Sequence, residues 1–285
     1  MAEIKDSVPK LEEKAREIRK EIVKMLNKAG SGHTGGSMSL GEILSVLYFH
    51  YLQLDPDNPE DPGRDRLVLS KGHAIPAVYA ALALKGFFGL EKLSTLRQVG
   101  SILQGHPDMT KTPGVEMTTG SLGQGLSAAN GMALAAKLDK RDLKVVAILG
   151  DGEIQEGQIW EAAMTASHYE LDNLIGILDY NGLQIDGDVE KVMDPTPINE
   201  KWKAFGWHVI EIDGHNIEEI YSALREGEKV EKKPTMIVAN TIKGKGVSFM
   251  ENDVGWHGKG PSDEELEKAL EELEAAGKAV KGGEE

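Results

Sequence analysis

Two short polar motifs could together hold a divalent metal ion and, through that ion, a diphosphate. Asp151 lies between Gly150 and Gly152, directly after an apolar run that predicts a strand. Asn181 follows about 30 residues later, the length of one strand–helix–strand unit, and it also ends a predicted strand. We therefore expect both side chains at the carboxyl ends of neighbouring parallel strands, where open α/β sheets bind ligands.

The residue types at this edge suit a hard cation. Asp and Asn oxygens are ligands for Mg²⁺ or Ca²⁺ rather than for zinc, and Mg²⁺ seldom receives all its oxygens from protein, so a diphosphate could complete the shell. The flanking glycines allow a sharp turn and a close approach to a ligand. Either motif alone is more often an ordinary turn. Their shared position at consecutive strand ends favours the metal site.

Histidines in glycine-rich loops form a second group with chemical potential. Of the eight histidines, four directly follow a glycine, and one more has a similar setting between Trp256 and Gly258. A glycine-rich loop can present a side chain to a ligand, so this group favours a site that moves protons or binds hydroxyl groups. These five are His33, His73, His106, His215 and His257. The other three lie within predicted helices or strands and are expected to be structural: His50, His168 and His208.

The elements that must position these residues alternate regularly after Thr118. The apolar runs predict strands at 66–70, 144–149, 174–179, 207–212 and 235–240. Helical spacing predicts helices at 8–28, 39–52, 73–86, 123–138, 156–169, 197–205, 216–228 and 262–276. The small residues of segment 30–37 favour no regular element. This pattern predicts an α/β fold, a doubly wound, mostly parallel sheet with helices on both faces.

Charge and composition exclude several function classes. The net charge of −15 argues against nucleic acid or an anionic membrane as the main partner. The chain has no cysteine, which excludes disulfides and thiolate-bound metals and suits a cytoplasmic enzyme. The charged N-terminus lacks the apolar segment of a signal peptide. The most apolar stretch, 74–84, is too short to span a bilayer.

The motifs together resemble those of transketolase, a thiamine-diphosphate enzyme. The resemblance covers nearly the whole chain, and its motifs occur in the transketolase order. The motifs are Ser31-Gly32-His33, Ser70-Lys71-Gly72-His73-Ala74, Gly105-His106-Pro107, Pro113-Gly114-Val115-Glu116, Thr119-Gly120-Ser121-Leu122-Gly123-Gln124-Gly125, Gly150-Asp151-Gly152-Glu153-Ile154-Gln155-Glu156-Gly157 and Asn181-Gly182-Leu183.

The resemblance implies a cofactor site. Mg²⁺, or Ca²⁺ or Mn²⁺ in its place, would be held by Asp151, Asn181 and the backbone carbonyl of Leu183. Gly152 would lie against the diphosphate of thiamine diphosphate. The aminopyrimidine and thiazolium region would be lined by Gly120, Ser121 and Leu122.

The resemblance also implies catalytic roles for four histidines. His73 and His257 would reach the cofactor and the reacting centre, whereas His33 and His106 would contact the donor sugar and assist proton transfer. Glu156 matches a carboxylate near the subunit interface. The implied reaction moves a two-carbon ketol unit from a ketose phosphate to an aldose phosphate, with the carbanion supplied by the cofactor.

Two departures from the transketolase pattern concern substrate range. Full-length transketolases commonly have Gly-Pro-Leu-Gly where this chain has Gly120-Ser121-Leu122-Gly123, and often His-Pro-Gly where it has His33-Thr34-Gly35. Both changes, together with segment 241–247, resemble the short forms of the family.

The resemblance extends over the first part of a transketolase only. We expect residues 1–285 to form one thiamine-diphosphate domain, with a helical segment at 8–28 and a frayed tail at 278–285. The pyrimidine-binding domain, whose glutamate activates the cofactor, would belong to a C-terminal partner subunit in a dimer of heterodimers. A truncated chain is the alternative to a natural split.

Three other functions stay open from the sequence alone. The α-subunit of a 2-oxo acid dehydrogenase has the same kind of metal site, but it needs fewer hydroxyl contacts than the histidines offer. A 1-deoxyxylulose-phosphate-synthase-like enzyme would carry its domains in one chain. A non-catalytic homologue would have no use for both the metal positions and the histidines.

Overall fold

Eleven α-helices and seven strands lie within residues 2–281 of the computed structural model, which describes the side chains of residues 4–277. The helices are α1 (Ala2–Lys5), α2 (Val8–Ala29), α3 (Thr34–Met38), α4 (Gly41–Val46), α5 (Ile75–Lys85), α6 (Gln124–Leu138), α7 (Gly157–His168), α8 (Val189–Met193), α9 (Ile198–Ala204), α10 (Ile217–Gly227) and α11 (Asp263–Lys281). The strands are β1 (Arg66–Leu69), β2 (Val145–Gly150), β3 (Leu174–Tyr180), β4 (Leu183–Gln184), β5 (Gly187–Asp188), β6 (His208–Asp213) and β7 (Thr235–Asn240).

Five strands form one parallel sheet in the order β1-β2-β3-β7-β6. Parallel strands buried on both faces read as continuous apolar runs, which is why β2 and β3 were visible in the sequence. In the register of these two strands Gly150 pairs with Asp179. The residues that follow β2 and β3 therefore leave the sheet side by side. The short strands β4 and β5 form a separate antiparallel hairpin beyond β3.

Helices cover both faces of the sheet, as the doubly wound prediction requires. Within β2, Val146 and Ile148 face a core that includes α2, α4, α5 and α10. Val145, Ala147 and Leu149 face a second core that includes α6, α7 and α9. This period-two alternation divides the apolar side chains between two layers, so the predicted fold class is confirmed.

The N-terminal part departs most from the predicted elements. Helix α2 matches the predicted helix and ends at Gly30, whose φ of 64° is left-handed. Segment 30–37, predicted to be irregular, forms most of the fully buried helix α3 from Thr34 onward, because tertiary packing overrides its poor helix propensity. The predicted helix 39–52 starts only at Gly41 and ends in a π-helical turn. Its first residue, Ser39, donates a hydrogen bond of 2.7 Å to Asp179 instead.

The C-terminal helix is longer than its sequence pattern indicated. The expected helix ended at residue 276, whereas α11 continues to Lys281 and overlaps the tail predicted to fray at 278–285. The last four residues of that tail lie outside the described residues. No helix in residues 2–281 has the length and apolarity needed to cross a membrane.

Candidate active site

Asp151 and the segment that starts at Asn181 meet at the carboxyl edge of the sheet. The Oδ2 atom of Asp151 accepts hydrogen bonds from the backbone N–H groups of Asn181, at 3.0 Å, and Gly182, at 2.6 Å. Its Oδ1 atom accepts from the N–H of Gly152 at 2.8 Å. The spacing of the two motifs predicted this adjacency, and the hydrogen bonds confirm it.

The side chain of Asn181 stabilises a tight turn that brings Leu183 to the same edge of the sheet. Its Oδ1 atom accepts from the N–H of Leu183 at 3.2 Å, and its Nδ2 atom lies 3.4 Å from Asp179 Oδ2. Carboxylate, amide and carbonyl oxygens lie together at this edge, and they are a donor set for a hard cation. Among residues 4–277, whose side chains the structure describes, His, Cys, Asp and Glu side chains alone do not form a metal-binding group of three. A metal here would depend on the amide and the carbonyl.

Asp151 is buried, and its environment favours a bound cation. Burial is the main cause that raises its pKa, and the nearby charge of Asp179 raises it further, to about 6. The hydrogen bonds from Gly182 and Gly152 act in the opposite direction. A divalent ion at this edge would offset the repulsion between the two carboxylates and keep Asp151 ionised.

A cavity of about 310 Å³ opens beside this edge. Seven of the predicted site residues line it: His73, Leu122, Asp151, Gly152, Asn181, Leu183 and His257. Glu156 is exposed, also lines the cavity and directly precedes α7, and its position near a subunit interface stays a prediction.

Four of the five loop histidines converge next to this cavity. The ring centroids of His33 and His73 are 5.1 Å apart, and those of His73 and His257 are 5.3 Å apart. His33 also lies 5.7 Å from His257 and 6.3 Å from His106. Four separate loops therefore bring their imidazoles together, and we refer to these four residues as the histidine cluster.

Burial and positive neighbours keep the histidine cluster neutral. Burial, and then the charge of Lys71, lower the pKa of His73 to about 2. Burial, and then Arg97, lower the pKa of His33 to about 4, and the pKa of His106 falls for the same two reasons. Burial and then Lys243 lower the pKa of His257 to about 4. Neutral imidazoles can both donate and accept hydrogen bonds, as contacts to a sugar would require.

One ring atom of the histidine cluster is left without a partner. Among the described residues, His33 Nδ1 is a buried atom with no hydrogen bond. Buried polar atoms in native proteins are almost always satisfied, so an orphan of this kind is a sign of a ligand. Its place between three other imidazoles indicates a polar ligand.

The loop that carries Gly120, Ser121 and Leu122 closes the site from another side. Gly120 has a φ of +148°, and a Cβ atom there would lie 2.9 Å from the ring of His106. Only glycine therefore allows the loop to approach this histidine so closely. Leu122 reaches the cavity, whereas Ser121 is exposed and does not line it.

A buried carboxylate joins this loop to the strand ends that carry Asp151, Asp179 and Asn181, which we refer to as the metal edge. Glu153 Oε1 accepts from Ser70 Oγ at 2.5 Å and from the N–H of Gly123 at 2.9 Å. Its Oε2 accepts from the N–H of Gly150 at 3.1 Å. The strand end before Asp151 and the loop before α6 are thus fixed to one side chain.

Two buried lysines also belong to the site, although the sequence pattern assigned them no role. Lys71 Nζ forms an ion pair with Asp179 and donates to the carbonyl of Gly36 at 3.1 Å. Lys243 Nζ donates to the carbonyl of Leu183 at 2.9 Å and lies 3.0 Å from His257 Nδ1. Lys71 directly precedes the Gly-His pair that contains His73, and this position could have indicated from the sequence that Lys71 belongs to the site.

His215 does not belong to the histidine cluster, so its grouping with the other loop histidines was wrong. Its Nδ1 lies 2.8 Å from Glu42 Oε2, and its Nε2 accepts from the N–H of Ile242 at 2.8 Å. Both ring nitrogens hold protein groups together. The expected structural role of His208 agrees with its pairing to Glu226 at 2.9 Å, and that of His50 with its packing on Tyr221.

Comparisons with known proteins agree with this geometry. Residues 11–278 match the family described as "Transketolase, thiamine diphosphate binding domain". A protein of Clostridium sp. (strain MSTE9), "6-deoxy-6-sulfo-D-fructose transketolase subunit SqwG", is 52% identical over 94% of this chain and 97% of its own length. An apulose-4-phosphate transketolase subunit of Phocaeicola vulgatus is 45% identical over 93% of this chain and 94% of its own length.

Solved transketolase structures share the fold. The transketolase of Campylobacter jejuni superposes with a TM-score of 0.87 at 40% identity and covers 92% of this chain. The chain spans only 42% of that protein. The similarity therefore extends to whole subunits in one group of relatives and to one part of a longer chain in another.

Proposed function

Because the chain belongs to the family of transketolase thiamine-diphosphate-binding domains, we propose that it is the N-terminal, diphosphate-binding subunit of a split transketolase. With a partner subunit it transfers a two-carbon ketol unit from a ketose phosphate to an aldose phosphate. One observation carries this proposal: Asp151, Asn181 and Leu183 line a single cavity together with His73 and His257, and the ring of His33 lies against both of these histidines. The relatives also argue against a 2-oxo acid dehydrogenase subunit, since they are named as transketolases.

The metal edge fits Mg²⁺, with Ca²⁺ or Mn²⁺ as substitutes. Asp151, Asn181 and the carbonyl of Leu183 would hold the ion, and Gly152 would face the diphosphate. A Cβ atom on Gly152 would lie 3.1 Å from Gln184 Oε1, so this glycine keeps the backbone close to the hairpin. Thiamine diphosphate, when bound, supplies the carbanion that cleaves and re-forms a carbon–carbon bond.

The protein's own contribution lies in positioning and proton transfer. His73, His257, Gly120, Ser121 and Leu122 would contact the cofactor. The neutral rings of His33 and His106 would bind the donor's hydroxyl and carbonyl groups and exchange protons with them. The unpartnered Nδ1 of His33 supports this assignment, because a sugar hydroxyl would satisfy it.

The partner would supply the other half of the cofactor site. We propose a C-terminal transketolase subunit that carries the activating glutamate, in a dimer of heterodimers. The names of two relatives, each a subunit of matching length, support this assembly. We further propose that residues 1–285 form one thiamine-diphosphate domain. A cytoplasmic location suits the cysteine-free composition.

The metal site is tested by calorimetry of thiamine diphosphate and Mg²⁺ binding to the chain with its partner. Asp151→Ala should weaken cofactor binding by about 100-fold, because it removes the one charged metal ligand. Asp186→Ala is the matched control, since this exposed carboxylate lies on the adjacent hairpin outside the cavity lining. Equal cofactor binding by the Asp151→Ala complex and the unmodified complex would refute the site.

A further inference from the structure

Arg97 is an exposed cation beside the histidine cluster. Among residues 4–277, its guanidinium group makes a single hydrogen bond, in which Nη1 donates to Ser31 Oγ at 3.1 Å, and no carboxylate oxygen lies within ion-pair distance of it. A guanidinium group has several N–H donors and stays charged throughout the physiological pH range. Most of these donors, and the whole charge, are therefore available to a ligand.

The backbone of Arg97 is held in an uncommon conformation. Its φ of 63° lies in the left-handed region, which residues with a Cβ atom rarely adopt and which is more frequent at functional sites. The N–H of Arg97 donates to the carbonyl of Leu103 at 2.9 Å and so closes the intervening loop. This closed loop fixes the point at which the side chain leaves the backbone.

The guanidinium group lies between the loops that carry His33 and His106. A Cβ atom on Gly105, the residue before His106, would lie 2.9 Å from Arg97 Nε, so the group packs directly on this glycine. A Cβ atom on Gly32, the residue before His33, would lie 3.9 Å from Arg97 Nη2. Arg97 therefore contacts both loops whose histidines we assign to the donor sugar.

Arg97 faces a different cavity from the one at the metal edge. This second cavity has a volume of about 530 Å³ and is lined by Arg97 and His106, whereas His73 and His257 line the first cavity. The ring of His33 lies between them, 5.1 Å from His73 and 6.3 Å from His106. The histidine cluster therefore extends from the cavity at the metal edge to the cavity that contains Arg97.

The carboxylate of Asp108 also lines the second cavity, but its own turn engages it. Its Oδ1 atom accepts from the N–H of Thr110 at 3.0 Å and from the Thr110 hydroxyl at 2.6 Å. Its Oδ2 atom lies 3.3 Å from Lys111 Nζ. The charge of Asp108 is therefore compensated locally, and that of Arg97 is not.

We propose that Arg97 binds the phosphate group of the sugar substrates. A ketose phosphate with its carbonyl carbon at the cofactor would place its hydroxyl groups along the histidine cluster and its phosphate beyond them, at Arg97. A guanidinium group matches the geometry of phosphate oxygens and binds them through charge-assisted hydrogen bonds. Arg97 thereby gives this chain its own part in selecting phosphorylated over neutral sugars. This inference rests on the proposed function, because it assumes that a sugar phosphate is the substrate.

Steady-state kinetics of the reconstituted enzyme with a ketose phosphate, and with the same ketose lacking the phosphate, test the proposal. Arg97→Met should raise KM for the ketose phosphate by about 10-fold to 100-fold, since hydrogen bonds to a charged group are lost. It should leave kcat, and the KM for the unphosphorylated ketose, nearly unchanged, because the contact is the same in the ground state and the transition state. Arg97→Lys keeps the charge without the planar fork and should restore part of the affinity.

The matched control is Lys92→Met, because Lys92 is an exposed cation near Arg97 in the sequence and lies outside the cavity lining. This variant should change neither KM. Calorimetry of thiamine diphosphate binding should give the same affinity for the Arg97→Met complex and the unmodified complex, since the phosphate contact lies away from the cofactor. Weakened cofactor binding would show that Arg97 serves the structure of the site and would overturn the proposal.

The two ketoses separate phosphate binding from a positioning role. Equal losses for both would show that Arg97 positions the histidine cluster, and no loss for either would show that the substrate does not contact Arg97. Each result would overturn the proposal. If the unmodified complex transfers ketol units but Arg97→Met does not distinguish the two ketoses, only this inference is wrong. If the unmodified complex transfers none, the proposed function is wrong as well.

Discussion

The two sides of the cavity are held in place by different means. On the metal edge, which comprises Asp151, Asp179 and Asn181, the carboxylate oxygens are engaged by the chain itself: Asp179 accepts from Ser39, Lys71 and Thr241, and Asp151 accepts from backbone N–H groups. In the histidine cluster the rings contact one another, and among the described residues His33 Nδ1 has no partner.

This difference separates what the fold needs from what the reaction needs. The metal edge is part of the hydrogen-bond network that joins β2, β3 and α3, so a change there affects folding as well as binding. The histidine cluster is half-buried to exposed, and its ring nitrogens are left available apart from His257 Nδ1, which contacts Lys243 Nζ. A change there should affect chemistry with little effect on stability.

Removal of the Asp179 carboxylate should have the largest effect on stability. Asp179→Ala leaves Lys71 buried without its ion partner, which typically costs about 3–5 kcal/mol of unfolding free energy. Urea unfolding of the metal-free chain measures this cost. The control is Asp188→Ala, which breaks an ion pair with the exposed Lys191 and should cost far less, because water screens exposed ion pairs. Similar losses in the two variants would contradict the structural role of the metal edge.

The histidine cluster should behave in the opposite way. His33→Ala should lower kcat/KM of the reconstituted enzyme by about 100-fold, because a group that exchanges protons with substrate is removed. The same variant should unfold at nearly the same urea concentration as the unmodified chain. His208→Ala, at the far end of β6, is the control for activity. A His33→Ala variant that unfolds at a lower urea concentration and retains activity would show that His33 serves the fold and not the reaction.

The low pKa values of the histidine cluster predict a dependence of stability on pH. The pKa of His73 is about 2 and that of His257 about 4 in the folded chain, against 6.5 for an unperturbed histidine. The unfolded chain therefore binds protons first, so stability is full above pH 6.5 and falls below it, down to about pH 4 through His257 and down to about pH 2 through His73. Urea titrations at several pH values should show this slope, and His73→Gln should reduce it. An unchanged slope in that variant would show that His73 does not contribute.

Substitution of Glu153 should have a smaller effect than the substitutions of Asp179, His33 and His73. Glu153→Gln keeps the shape but replaces one carboxylate oxygen by an amide group that cannot accept, so one of three hydrogen bonds is lost. A cost of about 1 kcal/mol in unfolding free energy is expected. Because Glu153 joins Gly150 to the loop before α6, the variant should also weaken cofactor binding slightly. A loss of unfolding free energy as large as that of Asp179→Ala would show that Glu153 is as important to the stability of the metal edge as Asp179.

The sequence predicted local structure and the metal edge better than it predicted the rest of the site. Strand ends are visible as the limits of apolar runs, so the adjacency of Asp151 and Asn181 followed from their spacing. The meeting of His33, His73 and His257 could be foreseen only through a family resemblance, because loops that are distant in sequence leave no periodic signal.

Other features were hidden because they depend on tertiary contacts. Helix α3 forms from a glycine-rich segment that is stable only when buried. Lys71 and Lys243 read as ordinary surface residues, since lysine is rarely buried unless it is paired. His215 follows a glycine as His33, His73 and His106 do, yet its two ring nitrogens bind Glu42 and the backbone of Ile242.

Ketol transfer measured with and without the partner tests the central claim most directly. The purified chain, supplied with thiamine diphosphate, Mg²⁺, a ketose phosphate and an aldose phosphate, should show no transfer by itself. Addition of the partner subunit should produce transfer, and its addition to the Asp151→Ala chain should not. Robust ketol transfer by the chain alone, or decarboxylation of a 2-oxo acid in place of ketol transfer by the complex, would contradict the proposed function.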